Sequence, residues 1–336
     1  MTVEPQAQAN VPSRATEWRQ RWGLHTPATL GERARELTGT GYLVEGLLPS
    51  RSIGLLLGDS GLGKSPLVYQ LGICVAAGLP FLGRATRQGR VVIADFENGI
   101  ADSCEMIERI SHFLGLPGPP SEDQFLIWTL NDCLPRYGQV GHDLLDMLQD
   151  VKPALAIIDS LGSSNPEAEE KNSSATRMLQ QFRKLGRDHG TTSVPVHHRR
   201  KQSRKAEESA GPLESTMHPR RWFQDARGAS ALVNGADIRL GVDDPDLSAV
   251  QKNEVALVVR GYGRIRGEIG PLYLARVPDE TGEPVGYRLV TGPELLNEDQ
   301  RAAFGKLSQH FTFKDAKHAY SRADQPLATG CCVRLI

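Results

Sequence analysis

Three short segments of this sequence hold the residue types needed to grip and cleave a triphosphate. In the first, Gly58-Asp59-Ser60-Gly61-Leu62-Gly63-Lys64-Ser65, glycines precede a Lys-Ser step. Glycines at such a turn let consecutive backbone N–H groups curve around phosphate oxygens, and a following helix adds partial positive charge at its N-terminus. Lys64 is then placed to reach the β- and γ-phosphates, and the Ser65 hydroxyl to ligate Mg2+. The pattern is short, so its surroundings decide: an apolar strand, Ile53 to Leu57, enters it and a helical stretch leaves it. Pro66 fits, because the first turn of a helix has N–H groups to spare.

The second segment, Leu155-Ala-Ile-Ile-Asp159, is an apolar strand ending in a carboxylate able to hold the Mg2+ water shell opposite Ser65. Residue 160 is Ser, so the group that polarises the attacking water must come from elsewhere. The third segment supplies it: the run Arg90–Asp95 leads into Phe96-Glu97-Asn98. A carboxylate just past a strand end faces the γ-phosphate, which makes Glu97 the candidate water activator and Asp95, inside the strand, its competitor. Val194-Pro195-Val196-His197-His198 places two imidazoles at the same carboxyl edge, where open α/β sheets bind ligands. Either could sense the γ-phosphate and relay its loss to the basic residues that follow.

These segments need a sheet to hold them. Short apolar runs at Ser52–Leu57, Arg90–Asp95, Phe125–Thr129, Leu155–Asp159 and Thr192–His197 alternate with helical spacing at Lys64–Ala77, Ile100–Leu114, Asp143–Val151 and Ser173–His189. That alternation predicts an α/β fold with a mostly parallel central sheet flanked by helices. After Gly228, runs at Asp237–Gly241, Glu254–Arg260, Gly270–Arg276 and Val285–Val290 are separated by short turns and predict antiparallel strands that extend the sheet. Residues 1–40 form a polar tail with an amphipathic piece at Thr29–Leu37, 41–295 the main domain, and 296–336 a small helical piece. Within the main domain, 199–225 shows no secondary-structure period and carries Arg199, Arg200, Lys201, Arg204 and Lys205, a candidate nucleic-acid loop. Its Trp222 and Phe223 are the only aromatics there for base stacking.

Composition narrows the classes. The 336 residues carry Lys+Arg 39 against Asp+Glu 40, a net charge of -1, so any basic surface is local. Cys74, Cys104, Cys133, Cys331 and Cys332 show no zinc-like or disulfide spacing, and no apolar run is long enough to span a bilayer. The expectation is a reduced, cytoplasmic protein without a membrane partner.

The stretches GDSGLGKS, VVIADFEN, LAIIDS, VPVHHRRK and ARGASALVNGADIRLGV resemble, in order and spacing, RecA-like P-loop ATPases of the AAA_25 and RepA hexameric replicative helicase type, over about Tyr42 to Leu274. The resemblance implies ATP with Mg2+ and gives Lys64 and Ser65 the Walker A roles. It makes Glu97 the catalytic glutamate, Asp159 the Walker B aspartate and His198 or His197 the γ-phosphate sensor. It also implies a hexameric ring with nucleotide at subunit interfaces, in which Arg227 is a finger reaching a neighbour's nucleotide and Arg260 stands near a further basic finger. Phe311 to Tyr320 looks like the start of a winged helix. Two functions fit best: a motor on single-stranded DNA, or an ATP-dependent oligomeric switch signalling to a protein partner. A small-molecule kinase is a third. The chain has no N-K-x-D guanine-reading motif.

Overall fold

Apolar runs five to seven residues long, separated by helical spacing, settle into one large sheet with helices on both faces. The computed structural model describes residues 14, 21–38, 41–129, 140–199, 213, 219–226, 228, 230–245, 255–264, 267–279 and 282–290. Arg200, Lys201, Arg204, Lys205, Arg227 and the expected helical piece 296–336 lie outside these residues. The chain divides into two units, Met1–Gly41 and Tyr42–Ile336.

In the first unit, α1 (Pro27–Thr38) starts at a reciprocal threonine cap. The Thr26 N–H donates to Thr29 Oγ1 at 2.9 Å and the Thr29 N–H to Thr26 Oγ1 at 3.3 Å. Two N–H groups that the helix leaves unpaired are thereby satisfied.

The second unit opens with a small antiparallel pair, β1 (Tyr42–Val44) and β2 (Leu48–Pro49). The main strands follow: β3 (Gly54–Gly58), β4 (Val91–Asp95), β5 (Phe125–Thr129), β6 (Leu155–Asp159), β7 (Thr192–His198), β8 (Ile238–Asp243), β9 (Leu257–Gly263), β10 (Glu268–Pro278) and β11 (Pro284–Leu289). Their order across the sheet is β11-β10-β9-β8-β3-β7-β6-β4-β5. Strands β3 to β8 pair in parallel, and β9 to β11 extend the sheet antiparallel from β8.

Strand alternation divides the core in two. Leu56, Val91, Ile93, Leu155, Ile157 and Val196 point to one face, against Leu67, Val68 and Leu71 of α2 (Lys64–Ala77) and Ile110 of α3 (Ile100–Phe113). Leu55, Leu57, Val92, Ala94 and Ile158 point to the other. There they meet Leu144 and Leu148 of α4 (Val140–Val151), with Met178, Phe182 and Leu185 of a long helix that follows. Two short helices, α5 (Leu161–Ser164) and α6 (Pro166–Glu170), lead from β6 into that helix, α7 (Asn172–His189). Neither was visible as a period in the sequence.

The structure corrects the expectation for 199–225. Pro219–Phe223 forms a short helix, α8, and both Trp222 and Phe223 are 0% exposed in the second core. Their rings pack edge to face at 5.1 Å. The two aromatics of that stretch are core side chains, because burying such large apolar area outweighs leaving it in a polar loop. A further short helix, α9 (Ser230–Gly235), precedes β8.

The far end of the sheet curls back over α2. Gln70 Nε2 donates to the Tyr287 carbonyl at 2.8 Å, and Gln70 Oε1 accepts from the Tyr287 N–H at 2.7 Å. One buried side-chain amide thus completes the backbone pairing of an edge strand. Gly286 presses on Phe113, where an added Cβ would lie 2.5 Å from the ring. Arg109 of α3 clamps the same corner through Asp279 at 2.6 Å.

Candidate active site

The sheet order sets the site. β3, β7, β6 and β4 are neighbours, with Gly58 beside His198 and Asp95 beside Asp159, so their carboxyl ends form one continuous edge. From β3 the chain enters the loop Asp59–Gly63, in which Gly61 (φ 81°) and Gly63 (φ 90°) take left-handed conformations that favour glycine. Gly63 then opens α2 at Lys64.

Lys64, 5% exposed, donates to the Asp59 carbonyl at 2.6 Å and lies 3.4 Å from His198 Nδ1. An ammonium only donates, so Nδ1 accepts and Nε2 carries the proton. That proton points at Glu97 Oε1, 2.9 Å away. Lys64, His198 and Glu97 thus form a chain across the carboxyl edge. The Ser160 hydroxyl favours the charged form of Glu97, and the Ser65 hydroxyl that of Asp159.

Asp95 belongs to the scaffold. It is 0% exposed, and its carboxylate accepts from the N–H groups of Glu97 (3.0 Å) and Asn98 (2.9 Å), from Asn98 Nδ2 (2.8 Å) and from the Tyr69 hydroxyl (2.6 Å). With its lone pairs so engaged it shapes the turn that presents Glu97 and is not placed to take a proton from water. A cavity of about 440 Å3 opens beside Glu97 and His198, lined also by Ser160, Ser163, Glu169 and Gly228, and leaves room for water there.

The electrostatics separate the two carboxylates. The hydrogen bond from His198, assisted by Ser160 and Lys64, holds Glu97 down at about 2 against the opposing effect of burial. Asp159 is pushed up to about 6, chiefly by burial and then by the charges of Asp95 and Glu97, although the Ser65 hydroxyl and Lys64 pull the other way. Burial also lowers Lys64 from the ordinary lysine value, while Asp159, Glu97 and Asp59 oppose the shift. Asp159 Oδ2 is buried with no hydrogen-bond partner. An orphaned carboxylate oxygen beside a serine hydroxyl and a phosphate loop fits a hard divalent cation with its oxygen ligands.

The remaining residues singled out in the sequence fall elsewhere. His197 is buried at 0%, facing away from the chain that His198 joins. Arg199 is 5% exposed and stacks on Trp222 at 4.3 Å, so it is part of the core and not of an exposed loop. Arg260 is tied within its own chain, donating to the Leu213 carbonyl at 3.2 Å and pairing with Glu268 at 3.1 Å. Three contributors had no sequence signal. Tyr287 donates its hydroxyl to the Gly63 carbonyl at 3.1 Å, Arg276 approaches the Leu62 carbonyl at 3.5 Å, and Ser160 helps keep Glu97 charged. The first two reach the phosphate loop from more than two hundred residues away, through the curl of β10 and β11.

A family model described as an AAA domain matches residues 25–204. Among solved structures, a KaiC-like protein from the hyperthermophilic archaeon Pyrococcus horikoshii is similar, with 14% identity and a TM-score of 0.47 over 75% of this chain and 97% of the other. The RadB recombinase is similar with 17% identity and a TM-score of 0.46 over 77% of this chain and 96% of the other. No curated protein matches the chain.

Proposed function

Since the chain belongs to the AAA domain family of P-loop ATPases, we propose that it is an ATP-hydrolysing motor acting on nucleic acid, of the kind that serves replication or recombination of a mobile element. The observation that carries the reading is the chain Lys64–His198–Glu97 along one sheet edge, with Asp159 beside it. The loop 58–65 binds the phosphates through its N–H groups, and Lys64 exchanges the Asp59 carbonyl for phosphate oxygen. Ser65 and Asp159 would hold Mg2+, which when bound offsets charge on the β- and γ-phosphates. Glu97 orients the attacking water and accepts its proton. His198 turns its Nε2–H from Glu97 to the γ-phosphate, and the carboxylate so freed acts as a base. Among the described residues no helix is long and apolar enough to cross a membrane.

The nucleic-acid part of the reading rests on sequence order. His198 and the buried Arg199 are followed at once by Arg200, Lys201, Arg204 and Lys205, so loss of the γ-phosphate at His198 can be passed to cations that hold a phosphate backbone. The assembly proposed is a hexameric ring with Arg227 reaching the neighbour's nucleotide. One observation favours the second reading, a non-translocating switch with a protein partner: burial of Trp222 and Phe223 removes the base-stacking platform.

The test is ATP hydrolysis by the full chain with and without single-stranded DNA at low salt. Stimulation that fades as salt rises supports the motor. Neither stimulation nor binding, with ATP still altering oligomer size, selects the switch.

A further inference from the structure

Arg199 stands where two halves of the site meet, and its surroundings are built. The guanidinium is stacked on the Trp222 ring at 4.3 Å and its side chain is 3% exposed. Around it lie three carboxylates: Asp225 at 3.4 Å, Asp59 at 3.8 Å and Asp243 at 3.9 Å. Each distance is longer than a good hydrogen bond, and Arg199 Nε has no partner, so the charge is shared among the three. The stack on Trp222, whose Nε1 donates to Asp243 Oδ2 at 3.1 Å, fixes the plane in which that charge is offered. A buried arginine needs such pairing, since leaving the charge unmatched costs far more than the pairing returns.

One of the three acids is different in kind. Asp225 and Asp243 lie outside the phosphate loop, whereas Asp59 is its second residue, and the Asp59 carbonyl holds Lys64 Nζ at 2.6 Å in the present arrangement. The Asp59 side chain is half exposed and sits on a segment without regular structure, between Gly58 and two glycines at positive φ. Left alone, such a lip would swing freely, and the anchor point of Lys64 would move with it. At its other end the loop is fastened by the Tyr287 hydroxyl on the Gly63 carbonyl.

We propose that Arg199 is a positioning residue for the phosphate loop, tethering its first lip through Asp59 to the buried Trp222–Asp243 corner. The loop is then held at both ends before any phosphate arrives, and the strand end that carries His198 into the site also carries, one residue on, the brace for the loop opposite.

The inference rests on triphosphate binding at residues 58–65, and the experiment separates the two. A slowly hydrolysed ATP analogue with Mg2+ is titrated into full-length wild type, Asp59→Asn, Arg199→Gln and the double variant, each checked by a thermal melt. Removing a negative charge beside a polyanion should by itself tighten binding. The tether instead requires Asp59→Asn to bind about fivefold more weakly, the scale of a partly exposed ion pair. Arg199→Gln should weaken binding at least as much, and the double variant should be no weaker than Arg199→Gln alone. Binding by Asp59→Asn that equals or exceeds wild type overturns the proposal, as do single losses that multiply in the double variant. Asp59→Asn decides alone if Arg199→Gln does not fold. A wild-type chain that fails to bind the analogue overturns the phosphate-site reading itself.

Discussion

A carboxylate held at about 2 is ionised but a poor proton acceptor, and Glu97 is held there first of all by His198. Any acceptor that draws the imidazole away makes Glu97 a better base, so under the proposed function His198 would couple the presence of a γ-phosphate to the readiness of Glu97. Glu97→Gln is expected to keep nucleotide affinity and lower single-turnover hydrolysis about a hundred- to ten-thousandfold, measured by rapid quench. Asp159 carries the opposite shift. At about 6 it is largely protonated in mildly acidic solution, whereas holding Mg2+ needs the carboxylate. Binding must then expel a proton, so Mg-nucleotide affinity should be flat from pH 7 to 8 and fall about tenfold per unit below about 6. Calorimetric titrations across that range, in buffers of different ionisation enthalpy, measure both affinity and proton release. Lys64, Ser65, Asp159, Glu97 and His198 were legible in the sequence because each sits at a strand end or in a glycine turn, where local pattern and position in space coincide. Tyr287 and Arg276 were not, since contact with the loop depends on how the sheet curls and no local spacing encodes that.

At the scale of elements, the parallel strands announced themselves as near-continuous apolar runs, the signature of strands covered on both faces. β5 and β6 match the expected limits and the others shift by a few residues, because strand ends are set by pairing partners as well as by composition. The helix Pro219–Phe223 escaped because five residues hold less than two turns and show no period. Charge was a poor guide in the same stretch: Arg199 looked like the first cation of a loop and is stacked in the core. The pairing of Gln70 with both backbone groups of Tyr287 is likewise invisible in sequence, and it carries a prediction. Gln70→Leu leaves a buried N–H and C=O without partners and should lower unfolding free energy by about 1–3 kcal/mol for each group left unsatisfied. Urea denaturation with an unchanged m-value would register it, and nucleotide affinity should fall with it as the Tyr287 hydroxyl loses its seat on Gly63.

At the scale of the whole molecule the proposed ring is tested through its assembly. Ala226 bridges back to Arg199 beside the phosphate edge, and Arg227, the finger proposed for a neighbour's nucleotide, is the next residue in sequence. Mass photometry with a slowly hydrolysed ATP analogue should show a larger species for wild type. Arg227→Ala should retain that assembly, or weaken it modestly, while hydrolysis drops by about three orders of magnitude or more. An oligonucleotide added to the same samples reports engagement directly. The fastening of Gly63 by Tyr287 has a consequence for biosynthesis. A ribosome releases the phosphate motif well before its flanking strands β7 and β8, which come from residues 192–198 and 238–243, and before its final latch at residue 287. A nascent chain therefore displays the glycines and the lysine long before it owns a cradle, and nucleotide can enter as a folding partner only once residue 287 has emerged.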